Sequence, residues 1–230
     1  MIIKSIVLLS GGLDSAVSLA CALGESEVDL CLTFNYGQLA ADNEITAAGA
    51  IARHYQLSHK IVSLPFLGEI TNNALINDEI HMPEPEAVDL DDPIAAAGNS
   101  ANVWVPNRNG LFINIAASFA EACGASLIVA GFNREEAASF PDNSAAFVMA
   151  INKCLEHSVR EQIKTVSYTQ RLDKSDIIKL GWRLSLPFQY IWSCYRGGQK
   201  MCGRCESCLR LKRAARMAGI NEKVFQFDYC

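Results

Sequence analysis

The chain has 230 residues, half of them hydrophobic and a fifth charged, a balance that buries a sizeable core and excludes a disordered or fibrous protein. Twenty Lys and Arg against 25 Asp and Glu leave a formal charge of −5, which argues against a nucleic-acid surface and for a small-molecule partner. No apolar stretch reaches the length of a membrane span, and the run Ile6-Val7-Leu8-Leu9 stops at Ser10-Gly11-Gly12, too early for a signal peptide.

The cytoplasm is therefore the expected location, and one α/β domain over residues 1–230 the expected organisation. The first half alternates strands and helices. Residues 2–9 are a near-continuous apolar run, as a strand buried on both faces requires. Residues 14–23 have helical spacing, with Ala16, Leu19, Ala20 and Leu23 on one side. A second strand is expected at 28–34, a long amphipathic helix at 38–55 and a third strand at 59–64. Strand, helix and strand at this interval imply βαβ units and a parallel sheet.

From 65 to 106 the character changes. Five of the seven prolines fall there, with the acidic residues Glu84, Glu86, Asp89, Asp91 and Asp92. The segment reads as an insertion that either lines a site or runs over the surface. Regular order returns with a helix at 108–122, a strand at 126–130, a helix at 142–157, a fifth strand at 165–168 and a short helix at 173–180 with Lys174 in its first turn. The expected fold is a doubly wound, Rossmann-like, parallel five-stranded sheet.

Ser10-Gly11-Gly12-Leu13-Asp14-Ser15 joins the first strand to the first helix. Loops at the carboxyl ends of parallel strands form the ligand crevice. Adjacent glycines let bare N–H groups approach a ligand, and the next helix points its positive end at the same place. Ser10 and Ser15 add hydroxyl donors, so Ser10 to Ser15 suit an anion such as pyrophosphate. The segment has neither the Walker spacing nor a dinucleotide fingerprint.

Cys194, Cys202, Cys205 and Cys208 follow the spacing C-x7-C-x2-C-x2-C. Overlapping C-x2-C steps let four thiolates converge on one ion, and an all-thiolate set suits a closed, structural zinc site, with an iron–sulfur cluster the alternative. Cys21, Cys31, Cys123 and Cys154 read as small core hydrophobes. The basic residues Arg210, Lys212, Arg213 and Arg216 read as a solvated face balancing thiolate charge, or as a phosphate or RNA contact.

The glycine loop resembles the PP-loop of the ATP pyrophosphatases, which cleave ATP between its α and β phosphates. Further motifs narrow the resemblance. Phe34-Asn35-Tyr36-Gly37-Gln38, Val105-Pro106-Asn107-Arg108-Asn109, Gly131-Phe132-Asn133 and the cysteine tail together resemble the 7-cyano-7-deazaguanine synthases (QueC) over nearly the full chain. The resemblance implies a fold of the adenine nucleotide alpha hydrolase type, an ATP–Mg2+ cofactor with structural Zn2+, and a homodimer. It also implies an activity: ATP adenylates 7-carboxy-7-deazaguanine, ammonia gives the amide, and a second activation leaves the nitrile used for queuosine. AMP or ADP-level products are released with pyrophosphate or phosphate.

On this reading Ser10, Asp14 and Arg108 are the expected catalytic residues. Leu9, Ser10, Gly11, Gly12, Leu13, Asp14, Ser15 and Lys174 would hold ATP. Phe34, Tyr36, Arg108, Asn109, Asn133 and Asp142 would contact substrate, and Cys194, Cys202, Cys205 and Cys208 would hold zinc. Many members read G-x-N-x-x-D-x-S-G-Y-P-D-C after the fourth strand. Here Glu136, Ala138, Ser139, Phe140 and Asn143 stand at the D, S, G, Y and C positions, while Pro141 and Asp142 match. The alternatives carried forward are a PP-loop ligase that uses another acceptor, a PP-loop tRNA-modifying enzyme, and a zinc-based RNA-binding module.

Overall fold

The computed structural model describes residues 2–82, 84, 90 and 102–228. Among these, five strands form one parallel sheet: β1 (Lys4–Leu8), β2 (Glu27–Asn35), β3 (His59–Ser63), β4 (Leu127–Val129) and β5 (Lys164–Val166), in the order β3-β2-β1-β4-β5. The central β1 is apolar because both its faces are covered. Ile6 and Val7 are fully buried, as are Cys31 and Leu32 beside them on β2 and Ile128 and Val129 on β4. Each such side chain contributes roughly 1.5–3 kcal/mol. The edge strand β3 is half solvated, with Ile61 47% exposed.

The principal helices are α1 (Leu13–Glu25), α2 (Ala41–His54), the short α3 (Pro65–Glu69), α4 (Arg108–Cys123), the one-turn α5 (Arg134–Ala137), α6 (Ala145–Ser158), α7 (Lys174–Arg183) and α8 (Glu206–Ala218). The chain runs outward from β1 through β2 to β3, then returns to place β4 on the other side of β1. The order reverses between β1 and β4, which opens a crevice at their carboxyl ends.

Local chemistry moves several boundaries from those expected. The helix after β2 begins at Ala41 rather than at 38, because the Gln38 side chain binds the Tyr36 N–H and the Phe34 carbonyl instead. The helix expected at 142–157 is divided. Pro141–Asn143 forms a 3-10 turn, and the Ser144 hydroxyl accepts from Phe147 N at 3.1 Å to cap α6. Cys31 is buried as expected, but Cys21 is half-buried and Cys123 and Cys154 are exposed, so the last two are not core residues. Helical spacing alone did not tell which face they occupy.

The start of the 65–106 insertion is ordered against its end: Asn73 Nδ2 donates to the Trp104 carbonyl at 2.7 Å, and Ala74 N to Asn102 O. Glu86, Asp89, Asp91 and Asp92 lie outside the described residues, while Glu84 pairs with Arg196 at 2.6 Å and Arg204 at 3.3 Å. Among the described residues no helix is long and apolar enough to cross a membrane.

Candidate active site

The loop after β1 is held by its own serines. The Ser15 hydroxyl lies 3.1 Å from Ser10 Oγ, accepts from Ser10 N at 3.2 Å and donates to Gly12 O at 3.0 Å. The first N–H groups of α1, at Leu13, Asp14 and Ser15, have no acceptor within the helix and face the crevice end. Two glycines make the arrangement possible by close approach. A Cβ on Gly11, whose φ is +79°, would stand 2.7 Å from Ala47 Cβ and 2.8 Å from Glu44 O. One on Gly131 would stand 2.5 Å from Ser15 N. Gly11 therefore seats α2, and Gly131 brings the end of β4 onto the first turn of α1.

Beside the loop lies a charged cluster. Lys174, at the start of α7, places its ammonium 3.0 Å from Asp14 and 2.8 Å from Glu136. Burial pushes Asp14 upward and Lys174 pulls it back. Burial also works against ionised Glu136, but Lys174 and Asn133 bring it below its ordinary range. Lys174 itself is raised because its two carboxylate partners outweigh burial. Asp14 Oδ1 is buried without a hydrogen-bond partner, an oxygen of the hard, anionic kind that Mg2+ takes.

A second wall comes from β2 and α4. Asn107 adopts a left-handed conformation, φ +51°, which is least costly for Asn and Asp among non-glycine residues. Its side chain fills the space where Gly110 lacks a Cβ. This turn starts α4 with Arg108 and Asn109 directed into the crevice. Arg108 donates to the Tyr36 hydroxyl at 3.1 Å and lies over the Tyr36 ring, while Phe34 stacks on Phe112 at 4.0 Å. Burial disfavours the Arg108 cation, but Tyr36, Asp142 and Glu44 hold its pKa above the usual range.

These walls enclose a cavity of about 230 Å3. Leu9, Ser10, Gly12, Leu13, Asp14, Ser15, Lys174, Phe34, Tyr36, Arg108 and Asn109 all line it. Three expected residues do not. Gly11 packs beneath the loop. Asn133 is fully buried, its Oδ1 capping α5 by accepting from Glu136 N at 2.9 Å. Asp142 stands behind Asn109, whose Nδ2 donates to its carbonyl. The structure adds residues that the motifs did not single out for the site: Thr33, Glu44, Phe112, Trp192, Ser193, Tyr195 and Ser207, with Glu136 and Asn143 of the altered segment. Of these, only Glu136 and Asn143 stand at motif positions read in the sequence; Glu44 and the others gave no sign there.

The cysteines gather at the rim of this wall. The Sγ atoms of Cys194, Cys202, Cys205 and Cys208 lie within 4.8 Å of one another. Tetrahedral zinc with Zn–S bonds of about 2.3 Å needs separations of about 3.8 Å, and two of the pairs stand at 3.9 and 4.0 Å. Three backbone N–H groups, of Arg196, Cys202 and Cys205, point at Sγ atoms at 3.3–3.4 Å, the donors that thiolates require. The four residues fit a closed zinc site. This arm touches the glycine loop directly, since Trp192 N donates to Gly11 O at 3.0 Å. The basic helix α8 is not a free face. Arg210 pairs with Glu206, and Arg213 with Glu135.

The chain is similar to known proteins over nearly its whole length. It is 58% identical over 217 residues to the 7-cyano-7-deazaguanine synthase of Pelotomaculum thermopropionicum, covering 94% of this chain and 98% of the relative. It is 57% identical to the protein of the same name from Desulforudis audaxviator, covering 94% and 98%. Among solved structures, a 4-thiouridine synthetase in complex with RNA and ATP superposes with a TM-score of 0.51 at 18% identity, covering 94% of this chain and 50% of that one. That likeness shows a shared fold. Residues 4–219 match the family model described as queuosine biosynthesis protein QueC, and the chain belongs to the QueC family.

Proposed function

We propose that the chain is a 7-cyano-7-deazaguanine synthase: it uses ATP to convert 7-carboxy-7-deazaguanine and ammonia into the nitrile by way of an acyl-adenylate and an amide. The observation that carries this reading is convergence. An anion-binding helix terminus, a buried lysine and a forked arginine line a single cavity at the sheet's switch point.

A carboxylate resists attack by ammonia because oxide is a poor leaving group. Transfer of an adenylyl group to that oxygen removes the obstacle, and the enzyme's task is to align the reactants and stabilise phosphate charge. Ser10, Gly12, Ser15 and the first N–H groups of α1 hold the pyrophosphate. Lys174 neutralises its charge, Asp14 offers its unpaired oxygen to Mg2+, and Arg108 holds the substrate carboxylate beside the α phosphate. Phe34 and Tyr36 flank the flat ring, and Asn109 stands at its edge. Cys194, Cys202, Cys205 and Cys208 would hold Zn2+, which would tie down the arm that carries Trp192, Ser193 and Tyr195. We read the 230 residues as one domain working in the cytoplasm as a homodimer.

The test is mass spectrometry of products after incubation with ATP, Mg2+, ammonium and the acid. The nitrile should appear. Accumulation of the amide alone would refute the second activation, and ATP cleavage without change in the acid would refute the substrate.

A further inference from the structure

The cavity wall carries three carboxylates that are not equivalent. Asp14 and Glu136 share the Lys174 ammonium. Glu44, in the first turn of α2, has no such ion pair among the described residues. Its Oε2 accepts from Gln38 Nε2 at 2.8 Å. Gln38 is itself clamped: the same amide nitrogen donates to Phe34 O at 3.1 Å, its Oε1 accepts from Tyr36 N at 2.9 Å, and the residue is 5% exposed. One carboxylate oxygen of Glu44 is thereby fixed, and the other has no hydrogen-bond donor among the described residues.

Flat apolar surfaces border the same stretch of wall, where Phe34 and Phe112 stack at 4.0 Å and Tyr36 leans on Phe112 at 5.9 Å. Burial pushes the Glu44 carboxyl up to about 7, against the pull of Gln38 and Arg108, so the group is short of donors until a ligand supplies them.

A carboxylate beside flat aromatic surfaces has a definite preference. When ionised, its two oxygens only accept, so they match a ring edge with two adjacent N–H donors and repel an edge that carries a lone pair. A guanine-type ring offers N1–H and the 2-amino group side by side. An adenine ring offers a bare N1 beside its 6-amino group. We infer that Glu44 is a specificity residue that reads the N1–H and 2-amino edge of the deazaguanine, held in place by Gln38. The inference rests on the synthase reading of this cavity. A consequence is that one carboxylate sorts the two purine-like ligands, admitting the acid substrate and turning away the base of ATP.

The experiment compares kcat/KM for 7-carboxy-7-deazaguanine and for its 2-desamino analogue, in the wild type and in Glu44→Gln, with the KM for ATP measured alongside. The wild type should favour the 2-amino substrate about ten- to hundred-fold, the range of one hydrogen bond to a charged group. In Glu44→Gln that preference should fall close to unity through a raised KM for the 2-amino substrate, with the KM for ATP unchanged. The amide oxygen can still accept from Gln38, and an unaltered melting temperature verifies the fold. A preference that survives in Glu44→Gln, or a rise confined to the KM for ATP, overturns the assignment while leaving the synthase reading intact. A wild type that consumes neither acid refutes the synthase reading and the Glu44 assignment with it.

Discussion

Replacing Lys174 with Met removes the charge but keeps the length of the side chain, and it strands two carboxylates. Asp14 and Glu136 stand 3.0 and 2.8 Å from the ammonium, with side-chain exposures of 13% and 34% around a lysine at 10%. Removing one member of a buried pair costs about 3–5 kcal/mol. Glu136 is a third exposed, so its share is discounted and the lower end, about 3 kcal/mol, is expected near pH 8. For a chain of this size that loss lowers Tm by roughly 6–12 °C. The pH dependence has a definite sign. Without the cation, burial and mutual repulsion raise both carboxyl pKa values, so the stranded groups take up protons as the pH falls and the cost shrinks toward pH 5. Urea unfolding followed by tryptophan fluorescence at the two pH values measures it. A loss under about 1 kcal/mol, or an equal loss at both pH values, would refute a charge-paired role for Lys174.

Gly131→Ala puts a Cβ 2.5 Å from Ser15 N, which costs about 1–3 kcal/mol and abolishes AMP formation by shifting the loop; Gly24→Ala, with nothing within 4 Å, gains up to about 1 kcal/mol and serves as the control in the same melts. Stripping zinc with a chelator should lower stability and ATP affinity together, because the cysteine arm donates Trp192 N to Gly11 O and carries Ser193, Tyr195 and Ser207 on the cavity wall; calorimetric ATP titration of zinc-free protein checks it, and full affinity there would show that the arm does not shape the site. Arg108→Lys keeps the charge but loses the fork that reaches both Tyr36 and an anion; the KM for the acid should rise about tenfold, the scale of one such hydrogen bond.

The parts legible in the sequence share one property: their signal lies within a few residues. The apolar run of β1, the glycine loop behind it, the helical spacing after it and the cysteine spacing are each complete within a turn or two of chain. Covalent geometry and periodicity carry them whatever the rest of the molecule does. The same locality set the limits. Gln38 looked like the start of a helix, yet its side chain competes with the helix for backbone partners, and the outcome turns on packing against Phe34 and Glu44. Asn133 belongs to a motif and still faces inward, because capping α5 occupies its oxygen.

By itself, then, the sequence determined the order of the strands along the chain, the glycine loop after the first of them, the four-cysteine cluster and the class of chemistry. The tertiary structure alone decided which side chains share the cavity. Lys174 and Asp14 are 160 residues apart and meet only because α7 packs on α1. Trp192 and Tyr195 reach the glycine loop only because the cysteine arm folds back onto Gly11. Glu44 joins Arg108 only because Gly11 lets α2 approach the loop. Such meetings depend on how helices close over the sheet, and no periodicity in the chain encodes a contact between residues so far apart.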